Sequence, residues 1–246
     1  MSFTYQTEDA ESEISEEQDH EPVETPTPPY YTLILVGAIV VVALVQFSTG
    51  LEASIHAAGF DKRSFLDGHQ YWLILTGAAT HGSAAHILMN AYAFYSFGKI
   101  FEMLSNKAHL AAVFLLSAVG GGLLSLIFTP NGVSVGASGG IVGLIGYLAV
   151  YAFRRRQFIT PEFRKNLLFN IGFILVFGLV LYDVIDNFGH IGGLITGAIY
   201  ALFQVPTDPH ADPRKAGSAA EIAGFASLAV YIASCGFAIL LILHIV

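Results

Sequence analysis

Seven long apolar segments, over about 31–49, 82–103, 108–128, 138–153, 167–182, 189–205 and 219–246, constrain this chain more than any other feature. Each approaches the ~20 residues that a helix needs to cross ~30 Å of hydrocarbon. A bilayer interior requires every backbone N–H and C=O to be satisfied within the segment, and helices do this. With 54% hydrophobic and 12% charged residues, a soluble domain of 246 residues could not hide its apolar surface, whereas a bilayer solvates it from outside. The expected fold is all-α, a polytopic membrane helix bundle.

The polar stretches set the organisation. Nine of the nineteen acidic residues fall between Glu8 and Glu24, and Pro22, Pro26, Pro28 and Pro29 follow or interrupt them. Residues 1–29 therefore read as an acidic, disordered cytosolic tail. They carry neither the basic start of a signal peptide nor the Arg-rich pattern of a transit peptide, so the first apolar segment is expected to be retained. Residues 50–81 mix polar and apolar residues and contain the adjacent Tyr71 and Trp72, which suit the headgroup level of a folded interfacial loop. Residues 206–218 read as a cytosolic linker between a six-helix domain over 30–205 and the seventh segment. Outside the tail, ten acidic residues face eleven basic ones, and no basic nucleic-acid footprint exists. The single cysteine, Cys235, rules out a disulfide framework and reads as a small buried hydrophobe.

Basic residues set the orientation. Lys99, Lys107, Arg154, Arg155, Arg156, Arg164, Lys165, Arg214 and Lys215 fall on one side, and Lys62 and Arg63 on the other. Positive residues stay cytoplasmic, which makes the N-terminus cytosolic. The second, fourth and sixth segments then start at the outer face and run inward in parallel. The expected location is the plasma (inner) membrane or a secretory-pathway membrane.

Polar clusters stand at the outer starts of those three segments. The second carries His81, His86 and Asn90; the fourth opens with Gly136-Ala137-Ser138-Gly139-Gly140; the sixth opens with Gly189-His190-Ile191-Gly192-Gly193, with Gly197 a turn later. Each alone is weak, because small residues commonly pack membrane helices. Intramembrane ionisable groups are costly and tend to be functional. Gly139 and Gly143 pair with the stripe Gly189, Gly193 and Gly197 to let two helices approach closely. Parallel contact would bring the Ser138 hydroxyl and the His190 imidazole to similar depth, and a neutral His can take the proton that keeps a Ser hydroxyl a poor nucleophile. His86 and Asn90 are four apart on one face and, with the Ser138 backbone N–H, could hold an oxyanion. From Ser138 to Phe153 the helix spans only ~24 Å, which places Ser138 below the outer boundary and calls for an aqueous cavity.

The ordered set closely resembles the rhomboid proteases. His81, His86 and Asn90 stand as the family's His-x(4)-His-x(3)-Asn, Gly136 to Gly139 as its Gly-x-Ser-Gly, and His190, Gly193 and Gly197 as its His-x-x-Gly-x-x-x-Gly. The resemblance covers about 31–205, with a seventh segment as in the family's six-plus-one form. It implies a serine endopeptidase that cuts transmembrane protein substrates within the lipid bilayer. Ser138 would be the nucleophile, His190 the base of a Ser–His dyad, and His86 and Asn90 the oxyanion contributors. It implies no cofactor, no metal and no third triad member. Two positions depart from the family's habit: Trp72 is followed by Leu73 rather than Arg, and Val142 stands where an aromatic often follows the nucleophile by four residues.

The rival readings are a catalytically inactive rhomboid-like scaffold or quality-control protein, a metal-dependent intramembrane protease and a small transporter. Inactive relatives typically lack the Ser or the His, and both are present. A metalloprotease would use His81, His86 and His190, but the five-residue step from His81 to His86 leaves one helix face and no His-Glu-x-x-His exists. A transporter would call for internal repeats, and none is evident. Asp183 and Asp186 precede His190 and could orient it, but as loop residues they read as solvated, and Asn170 reads as a helix-packing hydrogen-bonder. His56, His69, His109 and His244 read as structural. Oligomeric state is not legible in the sequence.

Overall fold

A computed structural model describes residues 28–182 and 184–245. The acidic tail up to residue 27 and Asp183 lie outside the described residues. The chain begins with α1 (Tyr30–Thr49), whose unbroken apolar run needs no polar face because most of its surface meets lipid. The stretch that follows is folded, as expected of 50–81: α2 (Leu51–Ala58), β1 (Phe60–Asp61), α3 (Lys62–Leu66) and α4 (Leu73–Thr76). Then come α5 (Ala84–Leu104), α6 (Lys107–Phe128), β2 (Val133–Ser134), α7 (Ser138–Arg154), α8 (Pro161–Val180), α9 (Asn187–Gln204) and α10 (Ser218–Ile242).

The molecule is a helical membrane bundle with seven helices of 17 residues or more among the described residues. By length and hydropathy alone, α1, α6, α8 and α10 are long and apolar enough to cross a membrane. The centre is built from α6, α7 and α9, which pack most extensively on one another, with α1, α5 and α10 around them. Buried Phe94, Phe101, Phe114, Leu144, Tyr147 and Leu148 fill the space between. The helix α8 is peripheral: it buries only Leu167 and Gly178, and its stacked Phe169, Phe173 and Phe177 are exposed.

Local sequence explains the boundaries. Ser83, Asn106, Thr160 and Asp186 each accept a hydrogen bond from a first-turn N–H, which starts α5, α6, α8 and α9. The Thr160-Pro161 pair starts α8 six residues before its apolar run at 167, because Pro at the first helical position lacks only an N–H that would have no partner. A two-residue antiparallel pairing joins β1 to β2, Phe60 opposite Ser134 and Asp61 opposite Val133. It clamps the loop before α5 onto the segment leading into α7.

The two ends of the bundle differ in charge. At one end Arg154 donates to the carbonyls of Leu202 and Val205, Arg155 to those of Asp208 and Pro209, and Asn106 to that of Arg214. The basic loops thus meet at that end. At the other, Lys62 donates to Thr129 and Arg63 to Asn131. Cys235 is buried in α10, as a small hydrophobe would be. One smaller reading needs correction: Asn170 donates to Asn166 O along its own helix rather than across to a neighbour. His109, read as structural, is bonded at 2.8 Å to Tyr200 of α9.

Candidate active site

Ser138 opens α7, and the residue two before it sets its position. Gly136 has φ +116°, a conformation that side-chain-bearing residues rarely adopt, and its N–H donates to Gly77 O at 2.9 Å. The chain therefore turns sharply off β2 and delivers Ser138 as the first residue of the helix. His190 lies in the first turn of α9, and His86 lies in the first turn of α5, with Asn90 one turn on.

Close backbone approach fixes the heights of Ser138 and His190. A Cβ on Gly193 would collide with the Gly139 carbonyl, and a Cβ on Gly197 with that of Gly143. The contacts ascend together, Gly139 to Gly193 and Gly143 to Gly197, so α7 and α9 run parallel. Ser138 precedes its contact by one residue and His190 by three, a difference of ~3 Å of rise. Both line one cleft of about 740 Å³, whose walls also carry His86, Met89, Phe177 and Tyr182. The two side chains share this space without a hydrogen bond between them, and buried His190 Nδ1 has no partner. Such contacts often tighten only when substrate is bound.

His86 and Asn90 converge on the same turn. A Cβ on Gly136 would lie 2.7 Å from His86 Cε1, 2.8 Å from its Nε2 and 3.6 Å from Asn90 Nδ2. Both side chains can thus present N–H donors beside the backbone that leads to Ser138. His81 takes another position: it precedes the α5 cap and is 1% exposed. Its backbone N–H and C=O both bond to the Gln46 side chain, and its ring meets that of His86 edge-on at 5.1 Å.

Asp186 is where the sequence reading needs correction. It is half-buried rather than solvated, and its carboxylate accepts from Ser125 Oγ and Ser134 Oγ, each at 2.5 Å, and from Gly189 N at 2.8 Å. One side chain therefore ties α6, β2 and the helix that carries His190. The signal was present, because an Asp immediately before a helical run is a helix-start signature. The two positions that depart from the family's habit are also accommodated. Leu73 is buried in α4, Trp72 rests edge-on against Phe237 of α10 at 5.7 Å, and Val142 is buried within α7.

Residues 68–207 match the family model described as the Rhomboid domain. The chain is 32% identical over 150 residues to "Rhomboid protease GluP" of Bacillus subtilis (strain 168), covering 61% of this chain and 29% of that one. It is 32% identical over 139 residues to "RHOMBOID-like protein 6, mitochondrial" of Arabidopsis thaliana, covering 56% and 45%. It is also 30% identical over 139 residues to "Inactive rhomboid protein 1" of Bos taurus, covering 56% and 16%. These alignments span less than half the length of each relative. With the model match extending over more than half of its residues, the chain belongs to the rhomboid family, and it is an integral membrane protein.

Proposed function

We propose that this protein is an intramembrane serine endopeptidase, hydrolysing peptide bonds in or near transmembrane segments of membrane proteins through a Ser138–His190 dyad. One observation carries the reading: a serine and a histidine open two parallel, glycine-packed helices onto one cleft, with two further N–H donors beside it. In this reading neutral His190 takes the Ser138 proton as Oγ bonds to the scissile carbonyl carbon. The oxyanion that forms accepts hydrogen bonds from His86, Asn90 and the Ser138 backbone N–H. His190 then gives the proton to the departing amine. Water, deprotonated by the same ring, releases the acyl group and restores Ser138.

The six-helix region over 30–205 would carry this chemistry, with 219–246 as an added transmembrane helix. The meeting of the basic loops at one end of the bundle supports a cytosolic N-terminus. A glycosylation reporter that placed Gln6 outside would reverse that orientation.

A non-catalytic scaffold is the second reading, favoured by the similarity to a protein named as inactive. A fluorophosphonate probe separates the two, because only an activated serine reacts. We expect the purified protein to label at Ser138 and to cleave a transmembrane reporter, and Ser138→Ala to do neither. A folded protein that neither labels nor cleaves is a scaffold.

A further inference from the structure

Lys62 is not explained by the dyad or by the fold. It is 2% exposed, among the largest fully buried side chains, in a loop that could have kept it in water. Its ammonium donates to Thr129 Oγ1 at 2.9 Å and lies 6.0 Å from the centre of the Phe60 ring. Two of its three N–H groups have no protein acceptor among the described residues. No carboxylate oxygen lies within 4.0 Å of it, since the ion pair formed among those residues joins Arg214 to Asp212. Asp186 is near enough to be felt, but it already accepts three hydrogen bonds. Burial accordingly pushes the Lys62 ammonium below the usual lysine range, and Asp186 only partly offsets this.

A buried charge held this way is costly unless an opposite charge joins it. The place where one can arrive is specific. Lys62, its partner Thr129, and Gly132, whose absent Cβ would lie 3.6 Å from Nζ, all line the cleft that also holds Ser138 and His190. Among the described lining residues Lys62 is the sole ammonium and Asp186 the sole carboxylate.

We propose that Lys62 forms a carboxylate subsite of the cleft, which selects substrates with an Asp or Glu side chain near the scissile bond. The inference rests on the protease reading above. Between Gly132, beside the ammonium, and Ser138 the chain advances six residues, ~20 Å at most when extended. A substrate lying along that wall therefore meets Lys62 within about six residues of the cut. The carboxylate supplies the direct counter-charge that Asp186 gives only at a distance, and takes up the free N–H groups in a charge-assisted contact.

The test is a set of transmembrane reporters in which Asp is scanned over six positions on each side of the cut, each paired with Asn. The full-length protein is assayed in vesicles of phosphatidylcholine, with and without phosphatidylglycerol. The expected result is one position at which Asp exceeds Asn by about tenfold or more in kcat/KM, equally in both vesicles. Lys62→Gln abolishes that preference and Lys62→Arg keeps it, while both variants label at Ser138 as the wild type does. The proposal is overturned if no position prefers Asp, or if the preference survives Lys62→Gln. It is also overturned if loss of Lys62 matters only in the anionic vesicles, which would make the ligand a lipid phosphate. Unlabelled Ser138 with no reporter cut would remove the protease reading and this one with it, whereas labelled Ser138 with Asp and Asn cut alike would remove only this one.

Discussion

Replacing Gly136 with alanine tests the oxyanion frame without touching any group that reacts. The backbone there, at φ +116°, costs a side-chain-bearing residue on the order of 1–3 kcal/mol. The new methyl would also sit 2.7 Å from His86 Cε1, about 0.7 Å short of the 3.4 Å at which ordinary contact begins. Two neighbours limit the directions in which the ring can retreat. Buried His81 stands edge-on to it at 5.1 Å, and Gly82 N donates to its Nδ1 at 3.4 Å. His86 must therefore tilt away from the turn before Ser138. Misplacing one oxyanion donor costs at least about 100-fold in turnover, or ~2.7 kcal/mol. Gly136→Ala is expected to lower reporter kcat by about that factor, with KM little changed and the protein still folded. Gly37→Ala on α1, where a Cβ meets nothing within 4 Å, serves as the control and should behave as wild type. Gly136→Ala turning over within twofold of wild type would refute the placement of His86 beside the oxyanion.

Two further outcomes follow from the same geometry. His190→Ala should be as inactive as Ser138→Ala in reporter cleavage and the double variant no worse, because groups acting as one unit are not additive, and an active His190→Ala protein would point to another base. Asp186→Ala removes three accepted hydrogen bonds, the α9 cap among them, so it should lower thermal stability by ~1 kcal/mol or more and slow Ser138 labelling, while Asp186→Asn, which still caps, should recover most of both; wild-type labelling by Asp186→Ala would remove its positioning role.

The helices were legible because a bilayer leaves a chain few options. Segments read at 31–49, 108–128 and 138–153 lie within two residues of α1, α6 and α7 at both ends. Lipid enforces backbone hydrogen bonding within each segment, so a long apolar run and a helix are nearly the same statement there. The parallel contact was legible for a related reason. Glycines four apart expose backbone along one face, and Gly139, Gly143, Gly193 and Gly197 meet in register because nothing projects between them. The start of α8 was misplaced because its first turn is polar and lies outside the apolar run, where capping rather than hydropathy sets the boundary.

What the sequence hid lies in the loops. Nothing in Phe60-Asp61 or Val133-Ser134 marks a strand, and two residues on each side become one only because α4 and α6 bring them together. Asp186 was misjudged because position in a loop usually means water, and here the loop folds over the helix starts; the same closure buries Lys62. Asp186 holds α9 to α6 and β2, and Lys62 is covered by the turn at Thr129 and Gly132. A charge that solvent would hold at no cost must be held by protein once the loop closes above it. The carboxylate finds three donors and is satisfied, whereas the ammonium finds one hydroxyl and an aromatic ring. That imbalance is local to the cleft, and among its described residues it leaves a positive site on the wall that a substrate strand would follow in the protease reading proposed above.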